Sequence, residues 1–363
     1  MRWLYCAHKP ENNLLFGYHR ADQVRRQFLI PLWNVYKFFA TYARLDDWTP
    51  PQEGFNPGNP EGDAPQSDNP LDRWIVGRIN QVVAECTERL ENSDSYSATM
   101  AIESFLDDLS NWYVRRSRRR FWKSERDADK ETAYTTIYYV LVRFMRLLAP
   151  FTPFVTEVAY QNLVRNVQPE AYESVHHTEW PLAEASVIDE TLITEMGFAR
   201  DVASLGLAAR NSAGIKVRQP LAKALVYAED APQDLSQELV EIVADELNVK
   251  SLERVEEESA LVDYELVADG SILGPKYGAK FPKIRAALAE VDAEPLVRRL
   301  RAQLPISVEV EDETITLAPE EVIVNVEPAE GLSTASDRGI TVGIETVLSD
   351  ELQAEGWIRD IVR

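Results

Sequence analysis

Between Leu71 and Ser93, apolar residues return at every third or fourth position, which places them along one face of an amphipathic helix. The same spacing recurs in residues 17–48, 95–122 and 128–148. Pro31 falls inside the first of these segments and predicts a bend there. Short links separate the later segments, as they do between neighbouring helices of a bundle. The first half is therefore predicted to be an all-α antiparallel helical bundle.

The stretch from Thr49 to Pro70 interrupts this pattern. It holds six prolines and three glycines, a composition that cannot continue a helix. We expect an exposed loop over 49–70, with Asn69 and Pro70 starting the next helix.

After residue 186 the pattern changes to short runs in which apolar and polar residues alternate, as in half-buried strands. The predicted strands are 221–227, 307–311, 314–317, 322–326 and 340–346, with Asp312 and Glu313 as a hairpin turn. The predicted helices are 189–209, 282–289 and 294–303. The chain is thus predicted to be multidomain, with a helical domain at 17–185 and an α+β domain at 186–363.

The net charge of −22 argues at first against a nucleic-acid partner, because phosphate binding relies on Lys and Arg. The charge is unevenly distributed. Residues 1–180 hold 21 Lys and Arg against 24 Asp and Glu, a balance of −3, and the remaining residues carry −19. The first half is therefore compatible with an RNA partner.

A basic cluster closes the third predicted helix, with seven cations among the twelve residues from Arg115 to Arg126. RNA phosphates would relieve the repulsion between these cations, and unpaired bases stack on Trp and Arg planes. The competing interpretation is a helix end whose dipole favours cations and whose neighbouring carboxylates neutralise them. The candidate contacts are Trp112, Arg115, Arg116, Arg118, Arg119, Arg120, Trp122 and Lys123.

A second basic segment joins a helix to a strand in the acidic half. Gly214 permits a positive φ, and Lys216, Arg218 and Gln219 would alternate in direction if the segment were extended. We consider these three residues a second candidate RNA contact. An ordinary helix end followed by a solvated strand is the alternative.

The sequence contains no recognisable catalytic or metal-binding motif. Cys6 and Cys86 are far apart, which fits a reducing cytoplasm, and the histidines supply no metal set. The glycine-bearing segment 273–285 lacks the spacing of a nucleotide loop and is interpreted as a structural turn. No apolar run reaches the length of a membrane span. A cytoplasmic binding module without metal, away from membranes, is therefore expected.

Four segments together resemble the anticodon-binding helical domain of the isoleucyl-tRNA synthetases, which are class Ia enzymes: Phe28–Phe39, Leu71–Ile75, Asp107–Trp122 and Leu148–Phe154. Asn211–Leu221 and Leu273–Gly278 resemble segments that follow in the longer, eukaryote-like branch, which ends in an α+β domain. The resemblance covers nearly the whole chain.

This resemblance implies that the helical domain receives the anticodon arm of tRNA(Ile), with Arg115–Lys123 as a contact region. Complete family members begin with a nucleotide-binding fold that carries a His-x-Gly-His type motif and a Lys-Met-Ser-Lys-Ser loop, interrupted by an editing domain. Neither motif occurs here, so ATP and Mg²⁺ are expected to serve only the full enzyme and no cofactor is expected in this chain. Residues 1–16 then correspond to a remnant after the catalytic domain, and both ends are expected to be truncated.

The resemblance leaves three functions open. The chain is expected to be the C-terminal portion of the ligase, catalytically inactive alone and working with a separately encoded catalytic half. The alternatives are a free-standing tRNA-binding or regulatory paralogue, and a docking domain that uses its acidic second half.

Overall fold

The computed structural model describes residues 1–51, 55–229, 235–311 and 313–361. The chain divides into two compact units, Met1–Thr194 and Glu195–Arg363. Within the described residues, no helix is long and apolar enough to cross a membrane.

The first unit is built from helices. They are α1 (Arg2–Cys6), α2 (Tyr18–Val24), α3 (Ile30–Leu45), α4 (Pro70–Glu91), α5 (Ser95–Asp107), α6 (Arg115–Trp122), α7 (Ala128–Leu148), α8 (Pro153–Tyr160) and the first residues of α9 (Glu190–Ser212). Three π-helical segments extend α2, α5 and α8, at Arg25–Leu29, Asp108–Val114 and Gln161–Arg165. Short 3₁₀ turns lie at Val175–His177 and Ala185–Val187.

Local sequence signals account for the starts of the two central helices. The Asn69 side chain accepts a hydrogen bond from the Leu71 backbone at 2.9 Å, and Pro70 occupies the first turn, where its missing N–H costs nothing. The Asp127 carboxylate accepts from the Lys130 backbone at 2.8 Å. The helices predicted at 71–93 and 128–148 are thereby confirmed.

The π-helical segment Arg25–Leu29 lies immediately ahead of Pro31, where a bend was predicted. A proline ring crowds the carbonyl four residues earlier, here that of Gln27. A π turn widens the backbone at that point and lets one helical path continue from Tyr18 to Leu45.

The core of the first unit surrounds α7, which is buried along most of its length. Aromatic rings fill the space beside α3, where Trp48 stacks on Tyr134 with ring centroids 5.4 Å apart and Phe39 meets Trp48 edge-on. A helical first half is as predicted. The antiparallel order of its helices stays a prediction.

The loop at 49–70 differs from the expectation of full exposure. Pro60 and Glu61 are buried, and Glu61 accepts hydrogen bonds from Arg146 at 2.5 Å and Arg143 at 3.2 Å. Because both arginines lie on the buried face of α7, the loop supplies their carboxylate and must fold inward to do so.

The second unit mixes helices and strands, as predicted. Its further elements are β1 (Leu221–Ala228), α10 (Gln237–Leu247), β2 (Val249–Arg254), β3 (Val262–Ala268), α11 (Gly270–Tyr277), α12 (Phe281–Glu290), α13 (Ala293–Arg301), β4 (Ile306–Val310), β5 (Glu313–Leu317), β6 (Val322–Pro328), β7 (Leu332–Asp337), β8 (Ile340–Glu345) and α14 (Asp350–Ile361). One four-stranded sheet has the order β2-β1-β8-β7, and β3-β6 and β4-β5 form two-stranded sheets.

Two hydrophobic clusters hold this unit together. One joins the four-stranded sheet to α9 and α10, and the other joins β3, β4, β5 and β6 to α11, α12 and α13. A Cβ at Gly206 would lie 2.5 Å from Leu247 Cδ2, so glycine is needed for α9 and α10 to pack this closely.

The elements of the second unit that were not predicted from the sequence include β2, β3, β7, α10 and α11. β7 carries Leu-Ser-Thr-Ala-Ser-Asp, which is too polar to show an apolar alternation. The segment 273–285, expected to be a structural turn, is largely helical. The turn expected at Asp312–Glu313 falls partly on Asp312, outside the described residues, and Glu313 already pairs with Val310 in the β4-β5 ladder.

Candidate functional site

The basic helix α6 is fixed to the core by one buried carboxylate. Asp72, on α4, is 1% exposed and accepts a hydrogen bond from the Tyr113 hydroxyl at 2.9 Å. Ser67 donates to the same carboxylate at 2.8 Å. The π-helical segment that precedes α6 therefore carries the tyrosine that anchors the basic cluster.

Arg120 is directed inward from α6 and completes this anchor. Its guanidinium makes two hydrogen bonds to Asp72, at 2.7 and 2.8 Å, and an ion pair with Asp129 at 2.8 Å. Burial alone would lower the pKa of Arg120, but these carboxylates raise it above its ordinary value. Arg120 is thus engaged within the chain, and this geometry gives it a structural role.

Lys123 is partly engaged in the same way. Its ammonium lies 2.6 Å from Asp127 and 2.9 Å from Asp129, and about a third of the side chain is exposed. Burial disfavours the charged form, but both carboxylates raise the pKa of Lys123. Its charge is therefore largely neutralised within the chain.

Trp112 is buried beneath two arginines. Its side chain is 5% exposed, and the guanidinium carbons of Arg115 and Arg116 lie 5.8 and 5.6 Å from its ring centroid. A ring covered in this way belongs to the core and has no free face for a nucleotide base. The two arginines are correspondingly held against the protein.

Arg118 and Arg119 are the outward-directed members of the cluster. Both are exposed, and among the described residues their guanidinium groups have no hydrogen-bond or ion-pair partner. Trp122 follows them and is 57% exposed. It lines an open groove of about 480 Å³ together with Tyr42 and Lys123. Two cations and one aromatic face are thus presented to solvent at one helix end.

The second candidate segment is a tight turn and is not extended. The Gln219 backbone donates to the Lys216 carbonyl at 3.0 Å, and Gly214 has a φ of +67°. Lys216 and Arg218 are both exposed. The alternation expected for an extended segment is therefore replaced by a turn that displays two cations.

Gln219 is directed away from the two cations. Its side-chain amide donates to the Leu352 carbonyl of α14 at 2.7 Å, and a Cβ at Gly356 would clash with Gln219 Oε1. This contact fastens the second unit's last helix to the turn, so Gln219 has a packing role in this geometry.

Several residues that organise these surfaces were not predicted from the sequence. Asp72, Arg210 and Asn248 all lie outside the predicted RNA contacts. An aspartate two residues after the start of a helix ordinarily indicates a favourable interaction with the helix dipole. No local pattern in the sequence indicates that Asp72 contacts Tyr113 and Arg120, which lie 41 and 48 residues later in the chain.

Comparison with known proteins bears on both surfaces. Residues 72–226 match the family described as the anticodon-binding domain of tRNA ligase, and this span contains α6 and the turn at 216–219. The isoleucine-tRNA ligase of Thermus thermophilus is 38% identical over 100% of this chain and 34% of its own length. The Streptomyces avermitilis ligase is 40% identical over 100% of this chain and 33% of its own length. The Dehalococcoides mccartyi ligase is 45% identical over 83% of this chain and 29% of its own length.

The chain belongs to the anticodon-binding region of the isoleucine-tRNA ligase family. It spans about a third of the length of the curated relatives it matches. A LeuRS–tRNA–LeuAMS complex from Agrobacterium radiobacter is similar to 52% of this chain and matches over 20% of its own chain, with 16% identity and a TM-score of 0.37. At that score the likeness carries no argument about the arrangement of this anticodon-binding region.

Proposed function

We propose that this chain recognises the anticodon arm of tRNA(Ile) as the C-terminal portion of an isoleucine-tRNA ligase. The supporting observation is that Arg118 and Arg119 are exposed at the end of α6, within the segment that matches the anticodon-binding family. Exposed arginines bind phosphate groups and release condensed counterions. Trp122, beside them, offers a face on which an unpaired anticodon base stacks.

The proposal assigns different functions to the predicted contact residues. Arg118, Arg119 and Trp122 contact RNA directly. Arg115 and Arg116 contribute charge from their positions over Trp112, and Arg120 and Trp112 hold the helix in place. In this proposal the helical domain comprises residues 17–185 as an antiparallel bundle, and the α+β domain comprises 186–363.

We further propose that these 363 residues do not charge tRNA alone, in the cytoplasm or in vitro. The family's adenylate-forming motifs do not occur among these residues, so ATP and Mg²⁺ would be used by a catalytic portion outside them. Incubation of the chain with ATP, Mg²⁺, isoleucine and tRNA(Ile) is expected to yield no Ile-tRNA. Formation of charged tRNA above a no-protein control would contradict this part of the proposal.

The recognition proposal is tested by binding to transcripts of tRNA(Ile) with the native and a replaced anticodon loop. The chain is expected to bind the native transcript more tightly, and Arg118→Ala with Arg119→Ala is expected to weaken that binding. Arg298→Ala with Arg299→Ala is the matched control, because it removes two adjacent exposed arginines from α13. Equal affinity for the two transcripts, or equal losses in the two double variants, would contradict the proposal.

A further inference from the structure

The turn at Lys216–Gln219 is held from beneath by two side chains. Arg210 donates to the Lys216 carbonyl at 2.9 Å and to the Gln219 carbonyl at 3.0 Å. Asn248 donates from its side-chain amide to the carbonyls of Val217 at 2.9 Å and Arg218 at 3.1 Å. Four successive carbonyl oxygens are thus bound on the inner side of the turn.

Arg210 is a buried cation that binds carbonyl oxygens. It is 1% exposed, and among the described residues it forms no ion pair with a carboxylate. Burial lowers its pKa to about 10. A buried charge is costly unless hydrogen bonds compensate it, and the forked guanidinium reaches a third carbonyl, that of Asn248, at 3.1 Å. A buried arginine with these contacts serves to fix backbone.

Asn248 holds the turn from the end of α10. Its backbone is left-handed, with φ 51° and ψ 52°, a conformation that asparagine and glycine adopt more readily than other residues. This conformation places the side-chain amide under the turn, and Arg359 donates to the amide oxygen. The left-handed backbone of Asn248 therefore allows its side chain to make the two hydrogen bonds to the turn.

The turn also carries backbone donors next to exposed cations. Within the described residues the backbone N–H groups of Val217 and Arg218 donate no hydrogen bond, and the side chains of Lys216 and Arg218 are exposed. Backbone N–H groups that make no hydrogen bond within the described residues, beside two exposed cations, are the kind of donors that a tetrahedral oxyanion binds.

We propose that the turn at Lys216–Arg218 binds a phosphate group of the tRNA backbone, and that Arg210 and Asn248 are positioning residues for it. This inference rests on the proposed function and adds a second, independently built contact to it. Lys216 and Arg218 supply charge, and the amides of Val217 and Arg218 supply directed donors. Gln219 does not belong to the site, since its amide binds α14.

The test measures affinity of the full chain for a tRNA(Ile) transcript at several salt concentrations. Arg218→Ala is expected to weaken binding and to lower the slope of log affinity against log salt by about 0.7 to 0.9, the value for one phosphate contact. Arg285→Ala, which removes an exposed arginine from α12, is the matched control and is expected to leave the slope unchanged.

Positioning by Asn248 is tested with Asn248→Gly, which keeps the left-handed backbone and removes the two hydrogen bonds to the turn. Arg218→Ala is expected to cost less affinity in the Asn248→Gly background than in the unaltered chain, by roughly two-fold or more. Asn248→Asp is a second variant that keeps the side-chain shape and cannot donate. Arg359→Gln is the control for the bond from Arg359, which Asn248→Gly removes and Asn248→Asp converts into an ion pair.

The outcomes separate this inference from the proposed function. If Arg218→Ala has the same tRNA affinity and salt slope as Arg285→Ala, the turn binds no phosphate. If Arg118→Ala with Arg119→Ala still weakens tRNA binding in that case, the proposed function stands. If the unaltered chain binds no tRNA, the proposed function fails. If the effects of Asn248→Gly and Arg218→Ala on binding are additive, Asn248 is not a positioning residue.

Discussion

The basic end of α6 and the turn at 216–219 present cations in different ways. In the helix, neighbouring cations alternate between inward and outward directions because of its period, so Arg120 meets Asp72 while Arg118 and Arg119 reach solvent. In the turn, Arg210 and Asn248 bind the backbone carbonyls, and the side chains of Lys216 and Arg218 are exposed. Some cations of the helix are therefore neutralised within the protein. The turn has only two cations, and both are exposed.

This difference explains why charge density in a sequence is an unreliable measure of a binding surface. Arg118 and Arg119 depend on a buried Asp72–Tyr113–Arg120 network for their position. The two cations of the turn depend on residues that carry no signal of their own. We expect substitutions of supporting residues to alter stability first, and substitutions of displayed residues to alter RNA affinity.

The largest expected effect separates two tryptophans, one before α6 and one at its last residue. Trp112→Ala is expected to lower the free energy of unfolding by about 4 kcal/mol, because it removes a buried indole and leaves a cavity. Trp122→Ala is expected to leave stability near that of the unaltered chain and to weaken tRNA binding, since its ring is exposed. Urea unfolding measures the stability of each variant, and titration with tRNA measures its affinity. Equal stability of the two variants would contradict this assignment.

A second contrast compares two arginines two positions apart. Arg120→Met is expected to cost about 3 kcal/mol of stability, because it leaves the Asp72 carboxylate buried without its cation. Arg118→Met, which removes the same charge from an exposed position, is the matched control and is expected to leave the urea midpoint unchanged. A comparable loss in both variants would mean that Arg118 is also part of the network.

A smaller effect is expected from acid on the helical unit. Burial would raise the pKa of Asp46, but hydrogen bonds from Lys130 and Tyr134 hold it below its ordinary value of 3.8. Asp46 therefore contributes stability above that value and loses it as pH falls through the lower folded-state pKa. The free energy of unfolding is expected to fall as pH drops below about 4.

The variant Asp46→Asn, with urea unfolding measured across this range, tests the assignment. It is expected to be less stable at neutral pH, where buried Lys130 lacks its carboxylate, and to lose less stability on acidification. An acid loss as steep as in the unaltered chain would show that Asp46 does not contribute to it.

The smallest expected effect concerns Gln219. Because its amide binds the Leu352 carbonyl, Gln219→Ala is expected to leave tRNA affinity and its salt dependence unchanged. Arg218→Ala, at the neighbouring position, is expected to change both. A loss of affinity in Gln219→Ala with an unchanged urea midpoint would return Gln219 to the RNA-contacting residues.

Much of the helical unit is predictable because its signals are local. Asn69 and Pro70 predict the start of α4, and the apolar period predicts the buried face of α7. The polar strand β7 could not be predicted in this way, because its pairing with β8 depends on backbone hydrogen bonds.

The candidate site was predictable only in outline. The sequence places seven cations between Arg115 and Arg126, but which of them are neutralised depends on Asp72, more than forty residues earlier, and on Asp129. Arg210 lies near the end of α9, and its burial follows from the packing of α9 and β1. Long-range contacts of this kind leave no local pattern.

The salt dependence of tRNA(Ile) binding tests the central claim most directly, namely that exposed Arg118 and Arg119 bind RNA phosphates. The slope of log affinity against log salt is expected to fall by about 1.4 to 1.8 in Arg118→Ala with Arg119→Ala, the value for two phosphate contacts. It is expected to stay unchanged in Arg298→Ala with Arg299→Ala. An unchanged slope in the first variant would contradict the claim.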